Sequence, residues 1–383
     1  MQKKLIALAV AGLVSAPVFA QSNVTVYGIV DAFFAYSKYD DNKFTGIESG
    51  GLAGSRLGFR GTEDLGNGLK AVFTLEYGLE VDDNEGVGAG GSRSRQQFVG
   101  LQGNSWGFIG LGRQYSPGYW TSAKYDAIPT VPFSPQFVLA NSRGSNIVAG
   151  TAARVSNAIN YKSPNWGGLT VNAIYGFNEA NQEDNRQAGD LAAVGVDYSN
   201  GPLGIGLVYS QVKQDAGAIG TEKFQPANTG TGFVITGVDP VTGVVTAAPV
   251  GLTTADETKK EWYVGAGYDL GMFKLVASYQ QIDDANALEQ KDKVWQVGGV
   301  VPVGAAGKVH VSYGRLDADA DNMDTDSLAL LYSHSLSKRT TLYTGVSVID
   351  NDDLTRISSV ARNSDQSAGE KDKNFFFGVN HTF

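Results

Sequence analysis

Apolar and polar residues alternate with a period of two along most of this 383-residue chain. Leu69, Ala71, Phe73, Leu75 and Tyr77 share one parity, with Lys70, Thr74 and Glu76 on the other. Val171, Ala173, Tyr175 and Phe177 stand against Thr170, Asn172 and Gly176. The theme returns in Leu203, Ile205, Leu207 and Tyr209, in Trp262, Val264, Ala266 and Tyr268, and in Val309, Val311 and Tyr313. Successive side chains of a strand point to opposite faces, so each stretch predicts a strand with one apolar face. The other face is polar, charged or glycine. The alternation alone does not say which face is turned inward.

The closing stretch "KNFFFGVNHTF" sharpens the question. Phe375, Phe377, Val379, His381 and Phe383 share a parity that only Phe376 breaks. A strand that keeps its apolar pattern to the last residue is expected to be held there, with "NVTVYGIVDAFF" near the start as its partner. Seven short connections rich in turn residues, such as "DLGNG", "PNWGG" and "SLSKR", alternate with eight longer ones. The longer ones lie near residues 39–52, 81–92, 116–156, 178–188, 214–258, 283–292, 317–325 and 350–371. Together these connections join sixteen strands. Tight turns on one side and long loops on the other are expected when hairpins cross a lipid layer. Aromatics such as Tyr77, Phe177 and Tyr279 end the apolar faces, where an interfacial girdle belongs, although soluble sheets also carry strand-end aromatics. Closing the last strand on the first satisfies every backbone N–H and C=O, as hydrocarbon demands. The expected fold is therefore all-β, a sixteen-stranded antiparallel transmembrane β-barrel with short periplasmic turns and long extracellular loops. A barrel of that width cannot be filled by side chains, so its interior is expected to be wet.

The start of the chain sets the compartment. "MQKKLIALAVAGLVSAPVFA" has a basic start, an apolar run and a Val18-Phe19-Ala20 ending, so residues 1–20 read as a secretory signal and 21–383 as the barrel. The run is too short for a membrane anchor. Losing Lys3 and Lys4 with the signal takes the formal charge from −9 to −11. There is no cysteine, so a secreted chain of this length is stabilised without disulfides. Three histidines with no paired ligand spacing offer no metal site, and no Ser/His/Asp stretch forms a nucleophile motif. "DADADNMDTD" lacks the glycine and terminal glutamate of an EF-hand and reads as a solvated acidic loop, with weak divalent binding left open. "GVGAGG" has no strand–helix context for a nucleotide loop. No cofactor, metal, catalytic residue or nucleic-acid partner is expected.

Longer stretches carry a family resemblance. "SNVTVYGIVDAFF", "SRLGFRGTEDLGNGLKAVFTLE", "SRQQFVGLQGNSWGFIGLGRQY", "RVSNAINYKSPNWGGLTVNAIYGF", "YSHSLSKRTTLYTGVSV" and "FFFGVNHTF" resemble, in order and spacing, the trimeric general porins of the Gram-negative outer membrane. The relatives in view are those of Neisseria and Burkholderia-like bacteria. The resemblance implies a homotrimer in outer-membrane lipid and lipopolysaccharide. It also implies that the terminal Phe383 is read by the outer-membrane assembly machinery. Two departures stand out. The third connection reads "SPGYWTSAKYDAIPTVPFSPQF" where many relatives carry a Pro-Glu-Phe-Gly-type stretch, and Thr382 replaces a frequent basic residue.

Diffusion through a wet barrel needs a narrow point and charges there. The third connection, about 116–156, is long, aromatic and proline-bearing, and by resemblance it folds into the lumen; an ordinary surface loop is the alternative. Arg56 and Arg60 share the parity opposite Leu57 and Phe59, so both are expected to point into the lumen. The resemblance places Arg56, Arg95 and Arg154 on the wall at the constriction, with Glu76 and the loop residue Asp126 as opposing acids and Lys124 nearby. Any one of these arginines is as readily an ordinary solvated or salt-bridged residue. Arg113 shares its parity with Ile109 and Leu111 and has no parity-based place. The function expected is passive diffusion of ions and small hydrophilic solutes with a weak anion preference. A barrel adhesin or barrel enzyme is the alternative of another class, and a soluble secreted all-β protein is a third.

Overall fold

The computed structural model describes residues 23–83, 94–129, 131–177, 189–213, 233–238, 245–249, 258–283, 290–359 and 367–383. The expected signal segment, "GVGAGG" and the connection at 178–188 lie outside them. The first half of the wall is β1 (Asn23–Tyr39), β2 (Asn42–Ser49), β3 (Arg56–Gly66), β4 (Leu69–Gly78), β5 (Ser94–Gly103), β6 (Gly107–Tyr115), β7 (Arg154–Lys162), β8 (Leu169–Gly176), β9 (Leu191–Asn200) and β10 (Leu203–Lys213). A separate hairpin follows, β11 (Phe233–Val238) with β12 (Val245–Pro249). The wall resumes with β13 (Thr258–Asp269), β14 (Lys274–Asp283), β15 (Lys291–Val303), β16 (Gly307–Asp317), β17 (Thr325–Ser335), β18 (Thr340–Asn351) and β19 (Lys371–Thr382).

Each wall strand pairs antiparallel with its neighbours, and β19 pairs with β1 from Ile29↔Thr382 to Tyr39↔Asp372. The ring is thus closed. Among the described residues it has sixteen places rather than seventeen, because β2 and β3 share one: both pair with β1, β2 along Ala32–Tyr39 and β3 along Asn23–Ile29. This corrects the expected loop at 39–52. The chain turns tightly at Asp40, whose φ of 54° is tolerated by aspartate, and returns at once as β2. The true break comes later, at residues 50–55. Asp31 organises it. Its buried carboxylate accepts from the backbone N–H groups of Gly51, Leu52 and Ala53 at 3.1, 2.9 and 2.9 Å, and from Tyr343 Oη and Asn380 Nδ2. The expected loop at 214–258 likewise contains the β11–β12 hairpin.

Two neighbouring cross-strand rows show what the alternation means. Val311, Leu330, Val346, Phe375 and Tyr36 stand side by side on β16, β17, β18, β19 and β1, and all are exposed. Ser312, Ala329, Ser347, Asn374 and Ser37 stand beside them in the same register, and all are buried. The apolar parity faces outward and the small, polar parity inward, which is the inverse of a soluble core. Phe376, which breaks the alternation, faces inward for a tertiary reason. Its ring stacks on Phe133 of the third connection at 3.7 Å between centroids.

That connection is built from two short helices, α1 (Pro117–Lys124) and α2 (Pro135–Ser142). Both begin with a Ser-Pro pair. The serine side chain accepts from the N–H three residues on, and proline occupies the first turn, where its missing N–H costs nothing. The segment lies against inward-facing positions of the wall. Gln296 Nε2 donates to the Tyr125 carbonyl at 2.7 Å, and His310 Nδ1 donates to the Ala127 carbonyl at 2.9 Å. Buried Glu261 accepts from Ser145 Oγ at 2.5 Å and from both Asn146 N and Nδ2 at 3.0 and 3.1 Å. The helix α1 approaches β9, β10 and β13 closely because glycines line them there. A Cβ on Gly195 would meet Pro117 at 2.6 Å, one on Gly206 would meet Thr121 at 2.4 Å, and one on Gly265 would meet Tyr125 at 2.7 Å.

Candidate functional site: a basic wall facing the third loop

Arg56 and Gly58 on β3 stand opposite Gly78 and Glu76 on β4, and Arg60 stands opposite Thr74. The inward parity read from the sequence thus puts Glu76 level with the gap between the two arginines. Arg95 joins them through a bulge. Glu76 pairs with Gln96 and Tyr77 with Ser94, so Arg95 is the extra residue of β5. Its Nε donates to Glu76 Oε1 at 2.8 Å and its Nη2 to Tyr115 Oη at 2.9 Å. Tyr27 Oη donates to Glu76 Oε2 at 3.0 Å and Tyr115 Oη to Oε1 at 3.2 Å. Arg56 Nη1 lies 3.9 Å from the same carboxylate, and its Nε donates to the Gly54 carbonyl at 2.9 Å. Arg60 lies over the Tyr27 ring at 5.0 Å, and Arg154 lies 5.9 Å from the centroid of Tyr115. Tyr119 of α1 stacks on Tyr115 at 3.8 Å, joining the loop to this wall.

The structure therefore brings Arg56, Arg60, Arg95, Arg154 and Glu76 onto one arc of the ring, β3 to β7. The third loop follows much of the other arc, from β8 to β19. Glu76 belongs to the arginine wall itself and does not stand across the bore from it. Asp126 does not join these residues. Its carboxylate accepts from Ser134 Oγ and from Ile128 N at 2.9 Å, which ties the loop to itself. Lys124 is also elsewhere, bonded to Asp197 Oδ1 at 2.9 Å and Ser199 Oγ at 3.0 Å. Burial pulls its ammonium down, but the hydrogen bonds and charge attraction of Asp197 and Tyr125 together outweigh that and hold it above the ordinary lysine value. Phe383 sits at the tight-turn end, where its N–H and C=O both pair with Gly28 at 3.1 Å.

Tyr27 and Tyr115 were not singled out by sequence reasoning. Tyr27 had a usable signal, since it lies on the parity opposite Val24 and Val26. Tyr115 had none, because a bulge between Gly112 and Gln114 shifts the parity of β6. The same bulge explains Arg113. It donates to the Ser94 and Arg154 carbonyls and to Ser156 Oγ, stitching three strands together beside Arg154.

A closed barrel with an apolar exterior, a polar interior and a chain segment laid along its inner wall is a transmembrane diffusion channel. The comparisons with known proteins agree. Residues 7–354 match the family model for Gram-negative porins, and the chain belongs to that family. It is 31% identical over 397 aligned residues to outer membrane porin protein 32 of Delftia acidovorans, with all of both chains covered. It is 31% identical to an outer membrane porin protein of Bordetella pertussis, covering 90% of this chain and 93% of that one. Among solved structures, an anion-selective porin from Comamonas acidovorans superposes with a TM-score of 0.75 at 29% identity, over 95% of this chain and 100% of the other. The chain is an outer-membrane porin.

Proposed function

We propose that this porin prefers anions and that Arg56, Arg60, Arg95 and Arg154 carry the preference. The observation behind this reading is a charge count: four guanidinium groups and one carboxylate, Glu76, leave these five side chains with a net charge of +3. The chain as a whole is acidic, but distance decides. Acids of "RLDADADNMDTDS" gather around Arg315, which holds Asp317, Asp324 and Asp326 at 2.7, 2.6 and 2.9 Å. Screening at physiological salt acts over about 8 Å. A fixed charge about 5 Å from a passing ion contributes roughly 0.8 kcal/mol even at the dielectric of water, about fourfold in local occupancy. The structural match to a porin described as anion-selective supports the same direction.

Lys124 and Asp126 act in this reading as parts of the loop that narrows the bore, not as charges at the basic wall. We further propose that three copies assemble, and that the pairing of Phe383 with Gly28 is the closure the assembly machinery promotes. The selectivity is tested by reversal potentials in a tenfold KCl gradient across a planar bilayer. The native channel is expected to show the sign of anion preference. Arg56→Ala combined with Arg95→Ala, which lowers the cluster from +3 to +1, is expected to move the potential toward zero. A cation-selective native channel, unaltered by the double substitution, sinks the proposal.

A further inference from the structure

A cleft of about 440 Å³ opens on the inner wall beside the arginine cluster, and none of the arginines lines it. One side is a face of α1. Pro117, Trp120 and Lys124 lie three and four residues apart and so share that face. The other side is the wall itself. Lys162, Asn172 and Gly195 stand directly opposite one another on β7, β8 and β9, and Thr170 with Asp197 forms the adjacent pair. The volume suits a small organic molecule.

Its chemistry is specific. Trp120 is 49% exposed although it makes edge contacts with Tyr115 and Tyr119 at 5.2 and 5.3 Å. An indole fixed by two rings and open to the lumen is a preorganised stacking surface. Asp197 is engaged by Lys124, Thr121 Oγ1 and Tyr125 Oη at 2.9, 2.9 and 3.2 Å. Lys162 makes no ion pair among the described residues. Two lysines against one aspartate leave the cleft with a net charge of +1.

We propose that this cleft is a binding subsite for a planar aromatic carboxylate, with the ring against Trp120 and the carboxylate at the Lys162 ammonium. An inorganic anion would use the ammonium and leave the indole idle, and a neutral ring would do the reverse. The inference rests on the diffusion-channel reading, since the ligand reaches the cleft through the lumen.

Benzoate is the probe. Channels are recorded in a planar bilayer in symmetrical KCl while benzoate or acetate is added to both sides. Benzoate is expected to lower the chloride conductance along a saturating curve, and acetate is not. Cyclohexanecarboxylate, with the same charge and no π face, is expected to need at least about threefold more for half-saturation. Trp120→Ala and Lys162→Met, each normalised to its own conductance without benzoate, are each expected to raise the half-saturating benzoate concentration by about threefold or more. Lys162→Met decides the matter should Trp120→Ala not assemble. A benzoate response that superposes on that of acetate, or half-saturation unmoved by Lys162→Met, overturns the subsite. Steps in KCl alone report on the channel itself, so their loss would strike the porin reading and leave a different signature.

Discussion

A Cβ on Gly58 would lie 2.4 Å from the Tyr27 ring, which crosses that glycine to reach Glu76. Glycine here is a packing requirement of the basic wall. Without a side chain at 58, the phenol and two arginines converge on one carboxylate that is itself buried. A buried carboxylate stripped of a donor costs about 1–3 kcal/mol. Tyr27→Phe, which keeps the ring, is expected to lower stability by about that amount. Gly58→Val, which also displaces the ring, is expected to lower it further. Equilibrium unfolding in urea from lipid vesicles, followed by tryptophan emission, gives the ranking, and a Gly58→Val variant as stable as the native protein contradicts it. At this scale legibility followed regularity. Arg56, Arg60 and Glu76 sit where β3 and β4 pair in regular register, so counting by twos oriented them correctly. Arg95 and Arg113 sit at bulges, and a bulge shifts parity by one with no local sequence mark.

At the scale of the element, the third connection is held by apolar and polar contacts together: Phe133 packs with Phe33 and Phe376, Leu139 and Val148 with Ile282 and Leu316, and Ile147 with Val208 and Tyr263. A polar latch is Glu261, buried beneath Ser145 and Asn146, with Gln280 Nε2 at 3.3 Å and Lys259 Nζ at 3.5 Å. Glu261→Ala leaves Lys259 and the Asn146 N–H without this acceptor. The substitution is expected to cost about 1–3 kcal/mol of loop docking, about five- to hundredfold in the undocked population. Limited proteolysis of the assembled protein, with cleavage mapped to residues 143–150, measures it, and single-channel traces are expected to gain closing noise. Cleavage at the native rate would show that the latch contributes nothing. The two Ser-Pro starts were visible as breakers in the sequence, but the helices they open are eight residues each and too short to stand alone. Contact with the glycine-lined wall makes them helical. The strand break at 50–55 was misplaced in the sequence reading for a similar reason, since its donors answer to Asp31, about twenty residues away.

At the scale of the whole molecule, closure is the decisive event. Eleven residue pairs join β1 to β19, and the Phe383 ring covers Gly28 on the outer face, where a Cβ would meet it at 2.3 Å. The exterior row through Leu330 is apolar on five consecutive strands. Leu330→Arg, near the middle of β17, is expected to destabilise the barrel by about 2–4 kcal/mol if that row faces the bilayer interior. Unfolding in urea from vesicles checks the value, and a change below about 0.5 kcal/mol would place the row outside hydrocarbon.

The sequence by itself determined the strands, their number of wall places and the inverted polarity of the barrel. These follow from a period of two and from turn residues, which act over neighbours in the chain. It also carried a family likeness that the comparisons bear out. The tertiary structure alone decided which arginines meet Glu76, where the wall is interrupted, and how the third connection lies in the barrel. Those outcomes depend on bulges, on glycines that make room for a partner far along the chain, and on buried acids whose donors arrive from other strands. No local pattern encodes a contact whose two halves meet only after the ring has closed.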